Sequence, residues 1–495
     1  MTSVTRPLSA NRRRLIRHLF QHELRLLRRH GVLIATAVIT VLWGVVVLGV
    51  DPRLRPTLLG WVLLFDLSGL ALFFVPALIV VERSQGIAAA RQLTAVSPHR
   101  LLAVRITTMV WLSVVAAVAL AVPAAVLAER PQSIPVVVLG VGLLCGLFSL
   151  AAVVVLGQAE TVTDFLPRVP LLAIPLLVPA IVAGAGVSDN PLLHLSPVTG
   201  GLKLLQGDWS WAALGWLVTW TVLAWPLAAC TTQVRSSVVT PVVARRAVIP
   251  ISGPFVVMRS YARADMRTLA GDRLLLMVLA GVPILAVGAR VFATFGSAWI
   301  DRRYGLDMTP WLPLVWAFVL VVHTPIMIGG IVGLLLLEDA DAGLLPAVAC
   351  TPAGRRSLLT YRLGVCVALS ATTVVVAVPV AGAVHPAGWA GVALTAVATA
   401  AVSIVPALLL ATVASDRLQG MAVFKTMSLP WYAPLALWGM HGAAGLPLWL
   451  IPTAWPVGAW WSHGLAAALW MTAGAVAMAG LWGTWLVQRW LTQSR

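Results

Sequence analysis

Long apolar runs separated by short polar segments organise this chain along its whole length. A helix needs about 20 apolar residues to cross the hydrocarbon core of a membrane, and runs of that length recur throughout the sequence. The pattern predicts an all-α polytopic membrane protein with twelve transmembrane helices. The predicted spans, six in each half, are 31–50, 57–81, 101–127, 135–157, 169–187, 210–232, 273–293, 311–337, 363–385, 388–411, 429–450 and 459–487.

The polar segments between the spans repeat at an interval of about 250 residues. The segment that begins at Glu23 returns at Asp265, before the first span of each half. The loop after the second span carries the same landmarks in both halves, namely Glu82, Gly86, Pro98 and Arg100, then Glu338, Gly343, Pro352 and Arg355. We therefore predict a tandem duplication of two parallel six-helix repeats: a first half at 1–235, a cytoplasmic linker at 236–258 and a second half at 259–495.

Each half opens with a predicted amphipathic helix that lies in the inner membrane interface. On a helical wheel the apolar side chains of the first helix share one face, and its arginines share the other. The same phase recurs in the second half, where Pro254 is placed to begin the helix. The apolar faces comprise Leu15, Leu19, Phe20, Leu24, Leu26 and Leu27 in the first half, and Met258, Tyr261, Ala262, Met266 and Leu269 in the second.

One carboxylate interrupts the apolar face of each of these elbow helices, Glu23 in the first and Asp265 in the second. A charge taken from water without a partner costs several kcal/mol, so each acid is predicted to bond an arginine.

Composition and charge agree with a membrane protein whose two ends are cytoplasmic. The chain is 60% hydrophobic and only 10% charged, with a mean hydropathy of +0.94. The chain has a net charge of +17, and most of its arginines fall on the predicted cytoplasmic side of the alternating spans, as the positive-inside rule requires. This distribution argues against nucleic acid as a partner. The opposite side holds only Arg53, Arg55, Arg130, Lys203, Arg290, Arg302 and Arg303.

Residues that carry out chemistry are sparse. The sequence has no G-x-x-x-x-G-K-[ST] phosphate loop, so the chain is not expected to hydrolyse ATP, and no metal-ligand spacing is present. The four cysteines, Cys145, Cys230, Cys350 and Cys366, are interpreted as packing residues. Inside the spans the clear ionisable residues are Asp66 and His323, at nearly equivalent places in the second span of each half. They are the candidate substrate-cavity residues, although a local structural role explains them equally well.

The order of these landmarks resembles the ABC-2-type permeases, the membrane subunits of type V ATP-binding-cassette (ABC) exporters. An elbow helix and two spans precede a loop that reads E-R-x-x-G…L-x-x-x-P…R-x-L-L, and an outer segment with Ser196-Pro197-Val198-Thr199 precedes the sixth span. The resemblance covers the chain twice. The chain is similar in particular to actinobacterial drug and fluoroquinolone export permeases. The second loop departs from the pattern, with Glu338-Asp339-Ala340-Asp341 after its span.

The resemblance implies a permease of the bacterial cytoplasmic membrane that is not itself an enzyme. Two copies of an ABC ATPase subunit would bind ATP and Mg²⁺ and dock on the two loops, which would act as coupling helices. In the family arrangement each elbow helix packs against the loop of its own half, and a bond from its acid to an arginine there would tie the two together. The bases available are Arg83, Arg91, Arg100 and Arg105 for Glu23, and Arg355, Arg356 and Arg362 for Asp265. The substrate would be an amphipathic small molecule, exported through a cavity between the two halves. The alternative is a secondary transporter of the major-facilitator kind, which also has two six-span repeats. It would require a basic G-x-x-x-D-R-x-G-R loop after the second span, and Glu82-Arg83-Ser84-Gln85-Gly86 fits that pattern poorly.

Overall fold

The computed structural model describes residues 8–233 and 273–492, apart from residues 51, 85–86, 88–95, 128–132, 158, 160–164, 166–167, 189, 306, 342, 351–353 and 441. The chain forms two compact units, Met1–Ala244 and Arg245–Arg495. All regular structure in the described residues is helical. The predicted all-α fold class is therefore confirmed.

The helices of the first unit run in sequence through its apolar segments. They are α1 (Leu8–Arg29), α2 (Val32–Gly49), α3 (Arg55–Val62), α4 (Ser68–Ser84), α5 (Pro98–Val126), α6 (Ile134–Leu156), α7 (Val169–Gly184), α8 (Pro197–Leu205) and α9 (Trp211–Gln233). A π-helical turn, Leu63–Leu67, joins α3 to α4, and a 3₁₀ turn, Pro191–Leu195, precedes α8.

The second unit also combines long helices with short ones. They are α10 (Arg273–Val291), α11 (Ser297–Tyr304), α12 (Leu312–Trp316), α13 (His323–Asp341), α14 (Leu344–Ala349), α15 (Gly354–Ala381), α16 (Gly388–Val413), α17 (Arg417–Tyr432), α18 (Ala454–Trp461) and α19 (Leu465–Thr492). π-helical turns at Phe292–Gly296 and Ala317–Val322 join α10 to α11 and α12 to α13.

Ten helical segments of the described chain are long and apolar enough to cross a membrane. The predicted fifth span forms α7, whose 16 residues fall short of that length. The predicted eleventh span, 429–450, is wrong as a single helix. The α-helix ends at Tyr432, and the 3₁₀ segments Ala433–Trp438 and Gly442–Leu450 follow it.

One helix in each unit forms the centre around which the others pack. In the first unit α6 contacts α4, α5, α8 and α9, and in the second unit α16 contacts α13, α15, α18 and α19. Both central helices are apolar, and their inward side chains are fully buried, as at Leu144 and Leu408. A helix satisfies its own backbone hydrogen bonds, so these long segments can be buried in lipid or protein without unpaired backbone groups.

Two local features occur in both units. A π-helical turn interrupts the second span of each, at Leu63–Leu67 and at Ala317–Val322. A hydroxyl at the start of the short helix before the last span also bonds to a carbonyl of an earlier segment. Ser196 Oγ donates to the Leu176 carbonyl at 2.7 Å, and Thr453 Oγ1 donates to the Trp431 carbonyl at 2.6 Å. These bonds hold α8 and α18 to the segments that precede them.

Helices α13 and α16 pack closely because glycines form the contact. A Cβ atom built on Gly329 would overlap the backbone oxygen of Ser403 and the ring of Pro406. A Cβ built on Gly333, one turn later, would lie 2.9 Å from the Ala407 oxygen. Small residues at this spacing let two membrane helices approach with their backbones nearly in contact.

Gly329→Ala should therefore destabilise the second unit, because the obstruction is backbone that cannot move aside alone. We expect a loss of about 1–3 kcal/mol, the usual cost of overpacking. The measurement is thermal unfolding of the purified full chain in detergent. Gly364→Ala is the matched control, since a Cβ built there meets no neighbouring atom within 4 Å. Equal melting temperatures for the two variants would contradict the close packing.

His385 fastens the turn between α15 and α16 to α18. Its Nδ1 accepts the Ala387 N–H at 3.0 Å, and its Nε2 donates to the Ala459 carbonyl at 3.0 Å. Its ring packs edge-on against Trp460, with ring centroids 5.3 Å apart. Both bonds require the neutral ring with its hydrogen on Nε2. Burial lowers the pKa of His385, and the bond to Ala459 partly offsets that effect.

The stability of the second unit should therefore fall in acid. In the unfolded chain His385 has a pKa near 6.5 and takes up a proton more readily than in the folded chain. Its contribution is complete above about pH 6.5 and is lost as the pH falls toward the lowered pKa of the folded state. Thermal unfolding followed by tryptophan fluorescence should show this loss, and His385→Gln should show a smaller pH dependence. An unchanged pH dependence in the variant would contradict the assignment.

Candidate functional site

Glu23 is buried within α1, a helix that otherwise separates its apolar and basic side chains. The carboxylate is 1% exposed, while Arg25 and Arg28 on the opposite face are exposed. Helix α1 packs against α5, and the Phe20 ring meets the Trp111 ring edge-on at 6.0 Å. The face predicted to be apolar is thus the packed face, and Glu23 lies within it.

Arg105, in the second turn of α5, is the partner of Glu23. Its Nη2 lies 3.1 Å from Glu23 Oε1, and its Nε lies 3.3 Å from Glu23 Oε2, a two-point contact. The same Nη2 lies 2.6 Å from Oε1 of Glu82, which is near the end of α4. The pairing of Glu23 with an arginine is therefore confirmed. We call Glu23, Arg105 and Glu82 the acid–arginine triad.

The triad holds three ionised side chains away from water. Arg105 is 3% exposed and Glu82 is 8% exposed, so solvent screens neither strongly. One guanidinium serves two carboxylates, and the cluster carries one net negative charge when all three groups are ionised. Losing Glu23 would leave Arg105 paired with Glu82. Losing Arg105 would leave two buried carboxylates without their shared cation, the more costly change.

The second unit has a related ion pair at the corresponding place. Arg362 Nη2 lies 3.1 Å from Asp339 Oδ2, and these side chains are 17% and 13% exposed. The two partners are 23 residues apart in sequence, as are Glu82 and Arg105. Sequence comparison aligned Glu82 with Glu338, whereas the carboxylate in this ion pair belongs to Asp339. Asp265 lies outside the described residues.

The candidate coupling residues are only partly described. Gly86 and Pro352 lie outside the described residues. Pro98 begins α5, and Arg100 in its first turn is exposed. In the second unit Gly343 adopts a left-handed conformation, with φ of 69°, immediately before α14, and Arg355 lies in the first turn of α15. The loop after the second span of this unit thus contains a short helix, α14.

The two intramembrane candidates lie at the π-helical turns of the second spans. Asp66 is within the turn Leu63–Leu67, and His323 directly follows the turn Ala317–Val322. His323 Nδ1 lies 2.6 Å from Tyr432 Oη, so its hydrogen-bond partner is a tyrosine of α17. Both residues are partly buried. Their contact with substrate stays a prediction.

Sequence reasoning missed Glu82 as a second partner of Arg105, and it missed Asp339 and Tyr432. The equal 23-residue separation of acid and arginine in the two halves could have revealed Glu82–Arg105 and Asp339–Arg362 together. The contact between His323 and Tyr432 joins residues 109 positions apart, and no local sequence pattern indicates it.

Comparison with known proteins shows that the second half of the chain is similar to export permeases. Residues 265–488 match the family described as fluoroquinolones export permease protein Rv2686c-like. Two relatives from Mycobacterium tuberculosis, fluoroquinolones export permease protein MT2760 of strain CDC 1551 / Oshkosh and Rv2686c of strain H37Rv, are each 24% identical over 239 residues. The alignments cover 46% of this chain and 94% of each relative. The predicted resemblance to actinobacterial drug-export permeases is confirmed, and the tandem duplication stays a prediction.

The acid–arginine triad predicts an order of stability among variants. Arg105→Met should be the least stable, by about 3 kcal/mol or more, because it removes the buried cation that Glu23 and Glu82 share. Glu23→Gln should lose less, since the pair of Arg105 with Glu82 remains. Arg25→Met, on the exposed face of α1, is the control and should unfold like the parent chain. Thermal unfolding of the purified full chain measures the order, and equal stability of Arg105→Met and Arg25→Met would refute it.

Proposed function

We propose that this chain is the membrane subunit of an ATP-binding-cassette exporter that moves an amphipathic drug-like molecule out of the cell. The observation that carries the proposal is the match of residues 265–488 to export permeases, because that segment contains a complete set of six predicted spans and the short helix α14. The named activity of the relatives supports a fluoroquinolone or a similar planar drug as one substrate.

Helix α14 is the proposed docking element for an ATPase subunit in the second unit. Leu345 and Val348 are buried and fix the helix to its own unit, whereas Leu344, Pro346 and Ala349 are exposed. The Asp339–Arg362 pair joins the end of α13 to the start of α15, beside the helix. A force applied to α14 would therefore be transmitted to both α13 and α15.

The acid–arginine triad supports a similar role in the first unit. It joins α1, α4 and α5 at the point where the segment between α4 and α5 leaves the spans. A displacement of that segment would carry α1 with it, because separating the charges is costly. In this proposal two ATPase subunits bind ATP and Mg²⁺, one at each loop, in a bacterial cytoplasmic membrane with both chain termini on the ATPase side.

The energy source separates this proposal from the secondary-transporter alternative. Inverted membrane vesicles that contain the chain and its ATPase partner should accumulate norfloxacin, a fluoroquinolone, when ATP is supplied. Vanadate, which traps ABC ATPases, should abolish accumulation, and a protonophore should leave most of it intact. Accumulation that resists vanadate and collapses with the protonophore would contradict the ABC proposal and favour the major-facilitator alternative.

A variant of α14 tests the docking element in the same vesicles. Leu344→Gln should abolish vanadate-sensitive accumulation while membrane insertion stays normal, because it changes only the exposed side of the helix. Leu450→Gln is the control, because Leu450 is also an exposed leucine and lies outside α14, in the 3₁₀ segment Gly442–Leu450. Normal transport by Leu344→Gln would remove α14 from the proposed interface.

A further inference from the structure

Three aromatic rings meet where the second span of the second unit changes from α12 to α13. Phe318 lies in the π-helical turn, His323 is the first residue of α13, and Tyr432 is the last residue of α17. The Phe318 and Tyr432 rings are stacked, with centroids 5.1 Å apart and planes 29° apart. The His323 ring lies 6.2 Å from Phe318 and 6.3 Å from Tyr432, also nearly parallel. We call these residues the ring trio.

The ring trio combines an exposed aromatic face with a polar edge. Phe318 is 42% exposed, although its neighbours in the same turn, Ala317, Val319 and Leu320, are buried. The polar edge is the pair of His323 Nδ1 and Tyr432 Oη at 2.6 Å. That bond does not use the second ring nitrogen of His323, Nε2, which is left to donate or accept according to the tautomer.

A lipid-facing position explains this arrangement poorly. Polar groups within a membrane-spanning segment are costly against hydrocarbon and are generally directed to protein or to a water-filled cavity. The span that carries Phe318 is also the most thoroughly buried of the ten. Exposed side chains are common along α10 and α19, whereas the exposed Phe318 ring is surrounded by buried residues of its own span. Single π-helical turns inside α-helices occur frequently at functional sites.

The first unit also has an exposed aromatic ring in the π-helical turn of its second span. Phe65, in the turn Leu63–Leu67, is 50% exposed and follows the buried Leu63 and Leu64. Its ring stacks on that of Trp61, with centroids 5.8 Å apart and planes only 12° apart. Asp66 follows Phe65 directly, whereas in the second unit the polar residue, His323, comes five positions after Phe318. An exposed, stacked ring beside a polar group is therefore a feature of both second spans.

We propose that the ring trio of Phe318, His323 and Tyr432 binds a planar aromatic molecule that carries a hydrogen-bonding group at its edge. The ligand stacks on the exposed face of Phe318, extending the existing stack by one ring, and its polar edge bonds to His323 Nε2 or Tyr432 Oη. This inference rests on the proposed function, for which it names the substrate class and the contact residues. Phe65 and Trp61 form the corresponding stacking surface of the first unit.

Binding of norfloxacin to the purified full chain in lipid nanodiscs tests the site directly. Equilibrium dialysis without nucleotide and without an ATPase subunit separates binding from transport. Phe318→Leu, which keeps an apolar side chain but removes the ring, should weaken binding about tenfold, while Phe318→Tyr should bind like the parent chain. Tyr432→Phe keeps the ring and loses the hydroxyl, and should weaken binding about threefold to tenfold.

The control variant is Phe295→Leu. Phe295 is 73% exposed and lies in the other π-helical turn of the same unit, Phe292–Gly296, outside the ring trio. It should bind norfloxacin like the parent chain, and all variants should elute and unfold normally. Unchanged binding by Phe318→Leu, equal losses in Phe318→Leu and Phe295→Leu, or no binding of norfloxacin to the parent chain would each overturn the site.

The two proposals fail in different ways. If Phe318→Leu loses binding while vesicle transport resists vanadate, the aromatic site stands and the ABC mechanism is wrong. If transport is abolished by vanadate while Phe318→Leu binds and transports normally, the mechanism stands and the site is wrong.

Discussion

Burying a charge away from water costs several kcal/mol unless an opposite charge accompanies it, and this constraint shapes the end of the first unit where α1, α4 and α5 meet. Glu23 and Glu82 are both buried, on different helices, and they share the guanidinium of Arg105 on a third. None of α1, α4 and α5 can move away from the other two without separating a buried ion pair. An amphipathic elbow, which could otherwise slide along the membrane surface, is thereby fixed to two spans.

The second unit meets the same constraint with a more open arrangement. Arg362 has an identified partner in Asp339, and both side chains retain some contact with solvent. Water screens such a pair, so it contributes less than the acid–arginine triad and separates more easily. The ion pairs that link the helices are therefore stronger in the first unit than in the second. The shared positions of the π-helical turns, the hydroxyl bonds of Ser196 and Thr453, and the acid–arginine spacing support the proposed duplication.

The sequence predicted the features that depend on composition, such as the spans, and missed side-chain partners that are brought together by the fold. Most spans follow from apolar length, because few other structures use twenty consecutive apolar residues. The eleventh failed because Pro434 and Pro447 interrupt a run that is still apolar enough overall to resemble one span. The burial of Glu23 followed from its place on the wheel, and the family resemblance narrowed its partner to four arginines. Choosing Arg105 required the crossing of α1 over α5, which no local pattern encodes.

The most direct test of the acid–arginine triad as a rigid link is a distance measurement between α1 and α5. Spin labels at Arg25→Cys and Val115→Cys, both exposed, would be placed in a chain whose native cysteines are replaced, and pulsed electron resonance would give their separation. The account predicts one narrow distance distribution that does not change when ATP is trapped in the ATPase partner, and a broad one when Arg105→Met is added. A broad distribution in the parent chain, or a shift on ATP trapping, would contradict the claim that the triad makes these helices move as one body.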